Sequence, residues 1–241
     1  MRTSHLTVVV VTVLLFAAIA CKKDKVTPAP ASVTVVNAMP DNSSIVPMFG
    51  TDTGGRYYNS PSYGNNMIPV YYGTSQLYSP VAGATSLLVV PSTDTGFKIF
   101  NGSLTLKSGD IFSFFLAGDT AHADTLLVKD NIPYYTDSST GVRFVNLSVG
   151  GKSLTINLDT DPANMEFPVL GYKGITDFKK YSAAAGPGGA YNFEIRDQAS
   201  GDLLTTYTWF FPMFKNNTIV ISGSTDPSSP TPLIVFSVNN F

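Results

Sequence analysis

Short runs of Val, Ile, Thr, Phe and Tyr recur along this chain, separated by clusters of Gly, Pro, Asn, Asp and Ser. Apolar and polar positions alternate over five to eight residues and then stop at a turn residue. That period of two, broken at short intervals, predicts strands rather than helices. The runs place strands near 33–37, 44–49, 67–72, 78–81, 86–91, 97–106, 111–117 and 125–129. A second series follows near 142–147, 153–159, 167–173, 191–197, 203–210, 217–222 and 233–238. Long helical patterns of Ala, Glu, Lys and Leu are missing, so the expected class is all-β.

The two series resemble each other. Val33-Thr34-Val35-Val36-Asn37 matches Val142-Arg143-Phe144-Val145-Asn146. In the same register Ser44 meets Ser153, Ile45 meets Leu154, Phe49 meets Leu158, and Thr51-Asp52 meets Thr160-Asp161. Later, the run from Phe112 to Gly118 resembles the run from Asn217 to Gly223, and Leu126-Leu127-Val128 resembles Leu233-Ile234-Val235. An internal repeat of about 100 residues with short strands and frequent turns predicts two tandem immunoglobulin-like β-sandwich domains. The expected bounds are 32–133 for the first repeat and 134–241 for the second, with a polar linker near Pro133 to Thr140.

These motifs, in this order, resemble the family catalogued as domain of unknown function 4397. They are Val-x-Phe/Val-Val-Asn, a Ser-initiated strand some eight residues on, Gly-Asp before Ile-Phe-Ser-Phe, and Leu-Leu-Val-Lys-Asp-Asn-Ile-Pro133. The resemblance covers nearly the whole body as two copies. It implies a β-sandwich in an extracytoplasmic lipoprotein of Bacteroidetes type, and it supplies no catalytic residues. The second copy departs from the pattern at Gly150-Gly151-Lys152, where the first has Asp41-Asn42-Ser43.

One stretch breaks the β pattern. Leu6 to Ala20 is continuously apolar after a basic Arg2, and it ends in Ala17-Ala18-Ile19-Ala20. Crossing a bilayer core takes roughly 20 apolar residues, so this run is short for a permanent span and reads as a signal peptide, 1–20. Ala18-Ile19-Ala20 fits an ordinary signal-peptidase site. With Cys21 it also resembles a lipobox, although Ala18 stands where Leu is usual. Cys21 is the only cysteine in the chain. An unpaired thiol in an oxidising compartment is a liability, whereas acylation gives it a role. Lipidation at Cys21 is therefore expected, with residues 21–31 as a tether containing Pro28 and Pro30. Residue 22 is not Asp, so the usual inner-membrane retention signal is absent. The expected location is the outer membrane, lipid-anchored at its periplasmic face or at the cell surface, with the membrane as a partner through that lipid.

Composition then narrows the chemistry. Charged residues make up 13% and the formal net charge is −2. Beyond the tether Lys179-Lys180 is the one basic doublet, which excludes a nucleic-acid groove. Outside the leader His122 is the only histidine, on a hairpin tip with Asp119 and Asp124 as candidate metal ligands or acid–base partners; an exposed polar loop is the plainer reading. Asp159-Thr160-Asp161 could offer oxygens to calcium but lacks the EF-hand spacing and reads as a turn. A glycosidase-type carboxylate pair is hard to argue, since Glu166 and Glu194 are the only Glu residues and the sequence does not give their separation. No catalytic, metal or cofactor site is expected, so the chain is not expected to be an enzyme. Thr120 and Thr125 follow Asp and precede an aliphatic residue, which makes them candidate O-glycosylation sites. Tyr57, Tyr58, Tyr71 and Tyr72 form a tyrosine-rich region suited to ligand binding, against a reading as ordinary strand packing. Trp209 to Phe214 reads as core and inter-domain contact rather than a partner patch. The function expected is a non-catalytic binding or adhesion module with a glycan or envelope-protein partner. The alternative is an accessory subunit docked on another envelope protein.

Overall fold

The computed structural model describes residues 30–50, 68–184, 189–210 and 215–240. The regular elements among them are all strands, and they divide into two groups of eight. In the first unit these are β1 (Ser32–Asn37), β2 (Ser44–Phe49), β3 (Val70–Tyr71), β4 (Thr74–Tyr78), β5 (Gly83–Pro91), β6 (Phe100–Leu106), β7 (Ile111–Gly118) and β8 (Ala123–Lys129). The second contains β9 (Ser139–Val149), β10 (Leu154–Leu158), β11 (Asp161–Leu170), β12 (Lys179–Ser182), β13 (Ala190–Asp197), β14 (Leu203–Phe210), β15 (Asn216–Ser224) and β16 (Ile234–Asn240). The first unit pairs its strands as β4-β1-β7-β8 and β3-β2-β5-β6. The second repeats that order as β12-β9-β15-β16 and β11-β10-β13-β14. Both place a parallel pair, β1 on β7 and β9 on β15, inside an otherwise antiparallel sheet. The expected pair of all-β sandwich units is what the chain forms.

Each unit has its own core between its two sheets. Val33, Val35, Ile45, Leu87, Val89 and Phe114 meet in the first. In the second, Phe144, Ile156, Phe193, Ile195, Trp209 and Ile219 do the same. A third cluster joins the units: Val36, Ala38, Phe115 and Ala117 of the first pack on Val145, Leu147, Val220 and Val238 of the second. Sheet β4-β1-β7-β8 therefore lies against sheet β12-β9-β15-β16, and the two remaining sheets are outermost in a four-layer stack. Strands β1, β7, β9 and β15 are buried on both faces, which explains why they read as near-continuous apolar runs instead of alternating. Burying a Val, Leu or Phe side chain contributes about 1.5–3 kcal/mol, so this shared layer supplies on the order of 10 kcal/mol before ordering costs.

The asparagine that closes the repeated motif is structural. Asn37 is fully buried and its Nδ2 donates to the carbonyls of Asn42 and Val70, both at 3.1 Å. Its Oδ1 accepts the Met39 N–H at 3.1 Å. Asn146 repeats the arrangement, donating to Lys152 and Leu170 at 2.9 and 3.0 Å and accepting from the Ser148 N–H at 3.0 Å. An amide has donors and an acceptor at one tip, so one side chain ties the inner sheet to the loop and to the outer sheet. Gly118 and Gly223 are the second repeated fixture. Both have positive φ at the end of β7 or β15, and a Cβ there would meet a backbone oxygen at 2.3 or 2.2 Å.

Three expectations change in detail. The strand placed at 78–81 is β4 at Thr74–Tyr78, and no strand was expected at β12. Both are edge strands in which only one residue, Tyr78 or Tyr181, is buried, so their sequences carry almost no apolar signal. The match of Leu126 with Leu233 is displaced. Leu116 pairs with Thr125 on β8, while the equivalent Ile221 pairs with Val235 on β16, so Leu126 corresponds to Phe236. A longer hairpin after Gly223 absorbs the difference, and an odd slip of three would have turned the strand over.

Candidate functional site

The candidate trio around His122 does not assemble, and the hairpin is the exposed polar loop of the plainer reading. His122 lies on the exposed β7–β8 hairpin, its Nδ1 3.2 Å from Asp119 Oδ1. The His122 N–H, with the ring beside it, holds the Asp119 carboxyl below the usual carboxylate range. Asp124 turns the other way, to Tyr172 and Lys173 of the second unit. Among the described residues no group of three or more His, Cys, Asp or Glu is arranged to hold a metal. Asp159 and Thr160 form the tight turn from β10 to β11, and Asp159 accepts from Asn192 Nδ2 at 2.9 Å. Glu166 is engaged by Lys179 at 2.5 Å and by the Tyr181 hydroxyl at 2.7 Å. Glu194 is engaged by Arg196 at 2.9 Å. Burial, and then the bond to Glu166, push the Tyr181 phenol far above its ordinary value.

The tyrosine-rich region divides. Cys21, Tyr57 and Tyr58 lie outside the described residues. Tyr71 is 59% exposed on β3. Tyr72 is half-buried with its hydroxyl 3.4 Å from Ser222 Oγ of the second unit, and burial raises its pKa. Tyr172, its counterpart, reaches the other way to Asp124 at 2.9 Å, where Lys173 adds an ion pair at 3.0 Å. Two tyrosines at equivalent positions thus cross-link the two units. The candidate acceptor Thr120 lies in the β7–β8 hairpin with its N–H on Asp41 at 2.7 Å, and Thr125 is half-buried within β8.

The contact between units also holds residues that the motif reading passed over. Arg143 is buried on β9, donating to Asp130 at 2.6 Å, Thr218 at 2.8 Å and Ser113 at 3.4 Å, with its guanidinium 4.6 Å from the Phe178 ring centre. A charge inside the apolar run Val142 to Asn146 was the available signal. A cavity of about 410 Å³ opens beside it, lined by Val128, Lys129, Pro133, Arg143, Ile175 and Phe178 among others. Arg143 and Lys129 are already paired there with Asp130 and Asp110, and Asp177 also lines the wall, so no net positive charge is on offer.

The outer faces differ between units. On the second unit's outer sheet the side chains that alternate with the core residues Ile156, Phe193, Ile195 and Trp209 point outward. They form cross-strand rows: Asn157, Glu194 and Thr206; Asn192 and Thr208; Ala190 and Phe210; Asn157 on β10 is buried, and the exposed members lie on β13 and β14. Asn192 links two of its neighbours, donating to Asp159 and accepting from Thr208 Oγ1 at 2.8 Å. Phe210 is 69% exposed at one end, while adjacent Trp209 is core. Trp209 lies in an outer-sheet strand, so the expected inter-domain role does not fall to it; the pairing of layers assigns that contact to the inner sheets. On the first unit the positions matching these rows are Met48, Leu88 and Asn101; Ser86 and Ser103; and Ala84 and Thr105, none of them aromatic; Val46 and its counterpart Thr155 are both buried.

No family model matches the chain, and no curated protein matches it. Among solved structures it is similar to CBMbc, a family 26 carbohydrate-binding module from Eubacterium rectale Amy13K in complex with maltoheptaose. That match has 10% identity and a TM-score of 0.28, covering 87% of this chain and 97% of that one. A streptococcal virulence factor described for α-glucan binding matches at 14% identity and TM-score 0.26, over 86% of this chain and 96% of that one. A candidate cell-adhesion protein from Bacteroides uniformis matches at 10% identity and TM-score 0.25, over 88% and 98%. Superpositions this loose carry no argument about ligand.

Proposed function

We propose that the chain is a non-catalytic binding module of the cell envelope, held to the outer membrane by lipid on Cys21, and that it binds through the outer sheet of its second unit. One observation carries the reading. The two inner sheets are spent on each other, which leaves the outer sheets to meet a ligand. On the second unit's outer face Thr155 and Asn157 of β10 are buried, while Asn192, Thr206, Thr208 and Phe210 along β13 and β14 form an exposed polar strip with an aromatic end. A large sheet face of organised hydrogen-bonding groups suits recognition more than turnover. Where the described carboxylates Glu166 and Glu194 lie, cations already engage them, and His122 has one exposed carboxylate beside it.

The test uses the chain from Lys22 onward, immobilised and exposed to envelope extract and to glycans. Thr206→Arg on the second unit's outer face should abolish capture, whereas Ser103→Arg on the first unit's outer sheet should leave it unchanged. Capture unaffected by Thr206→Arg would put binding elsewhere. Mass spectrometry of the mature N-terminus tests the anchor, and a free Cys21 thiol would overturn that part. A second reading, docking onto another envelope protein, draws on edge strand β11. Its exposed Met165 and Val169 lie beside unpaired backbone that could accept a partner strand.

A further inference from the structure

We infer that the exposed β13–β14 strip of the second unit's outer face takes an uncharged oligosaccharide, with Phe210 as the stacking platform and Asp159, Asn192, Thr206 and Thr208 as the hydrogen-bonding row. This rests on the reading of the chain as a binding module and adds the ligand class and the residues that recognise it.

The platform comes first. Phe210 continues the outward series of Thr206 and Thr208 on β14, and its cross-strand neighbour is Ala190, too small to cover the ring. An aromatic ring left 69% exposed offers a flat apolar face. Pyranose rings present a matching apolar face of C–H groups, with hydroxyls around the rim.

The rim chemistry follows along the strand. Asn192 holds Asp159 on one side and Thr208 on the other, at 2.9 and 2.8 Å, so three polar groups are fixed in position before any ligand arrives. Each keeps spare capacity: the second Nδ2 hydrogen of Asn192, the second oxygen of Asp159, and the lone pairs of Thr208. Donors and acceptors thus alternate within a few ångströms. That pattern fits hydroxyl groups, which donate and accept at one atom.

Charge narrows the class. Glu194 and Arg196 pair with each other at 2.9 Å, and Asp159 adds a carboxyl group to the row. An anionic ligand would meet that carboxylate with no free cation in the row. The span from Phe210 to Thr206 is four residues, about 13 Å along a strand, which exceeds one sugar ring and suits a short chain. The first unit serves as an internal control. Its matching positions are Thr105 for Phe210, Ser103 for Thr208, Ser86 for Asn192 and Leu88 for Glu194, so neither the platform nor the linked row is present there.

The experiment screens the chain from Lys22 onward against an array of neutral oligosaccharides, with hits measured by calorimetry. Phe210→Ala and Asn192→Ala should each weaken binding by at least about tenfold, with melting temperatures unchanged. Phe210→Tyr should retain binding, since it keeps the ring. Thr105→Ala in the first unit should change nothing. Sugar binding that survives both Phe210→Ala and Asn192→Ala overturns the inference, as does a wild-type chain that binds no neutral glycan. In either case the Thr206→Arg capture assay still judges the binding-module reading on its own. Envelope capture lost on Thr206→Arg without any glycan hit would keep that reading and discard the sugar.

Discussion

Where the first unit reaches the second, Tyr72 comes within 3.4 Å of Ser222 and Gly73 lies against Ile234. The reverse crossing puts the equivalent Tyr172 and Lys173 both onto Asp124. Deeper in, Ser113 donates to Asp130 on one side and Thr218 donates to Asn240 on the other, at 2.8 and 2.6 Å. Only one side adds a charge, Arg143 to Asp130; its counterpart in the first unit is Thr34. Strand order and the asparagine clamp are the same in both units, so the backbone needs neither ion pair. What the charges add is direction. Two units pairing like-on-like would bury two arginines, or two aspartates, without partners, and the heterologous pairing avoids this. Lys173 makes the same point locally: it holds a positive φ of 58° where the first unit has Gly73, and its ion pair to Asp124 offsets that strain.

The comparison can be broken most severely at the buried pair. Asp130→Ala should destabilise by about 3–5 kcal/mol in urea unfolding, because it leaves the Arg143 charge buried without a partner. Replacing both with the chemistry of the other side, Arg143→Thr with Asp130→Asn, should cost clearly less. If the single change costs no more than the double, the charge has no role in the pairing.

The clamp should be equal in both units. Asn37→Ala and Asn146→Ala each remove the donor to two carbonyls and the acceptor of one N–H, and each should cost about 2–3 kcal/mol by thermal or urea unfolding. A large inequality would mean that one clamp is dispensable and the equivalence superficial. The crossed tyrosines should then separate. Tyr172→Phe, losing a bond to a partly exposed carboxylate, should cost about 1 kcal/mol. Tyr72→Phe, with its long contact to Ser222, should be close to neutral.

The smallest effect is in pH. Lys173 and then Tyr172 hold the Asp124 carboxyl below the usual carboxylate range. A carboxylate with a depressed folded pKa contributes stability that is present above its unfolded value near 3.9. That contribution is lost as pH falls through the folded value. Asp124→Asn should therefore lower stability at neutral pH and make the acid-side decline shallower, read from urea midpoints between about pH 2 and 6. Changing Ile234, the non-titrating counterpart, should leave that slope alone. An unchanged acid limb in Asp124→Asn would show that Asp124 does not titrate across this contact.

Much of the fold was legible because strand signals are local. Alternation located β5, β6, β13 and β14, where one face meets a core and the other does not. Short strand-forming runs between turn residues located β1, β2, β7, β9, β10 and β15, but a near-continuous buried run does not name what lies on its second face. The edge strands β4 and β12 were misplaced or missed, since one buried tyrosine in each leaves no period to read. At the candidate site, His122, Asp119 and Asp124 were adjacent in sequence and were separated by the hairpin, because Asp124 faces the second unit. Phe210 was read together with Trp209, although neighbours on a strand point to opposite faces; one became core and the other surface.

By itself the sequence determined the class, the repeat and the positions of most strands, through period two, turn residues and a recurring asparagine. Only the tertiary structure decided that two sandwiches share a buried layer, that Arg143 and Asp130 fix their pairing, and that Trp209 is core while Phe210 is surface. The physical reason is that periodicity says whether a residue is on one face of a strand or the other. What lies against that face is set by contacts between residues far apart in the chain, and a local pattern carries no record of them.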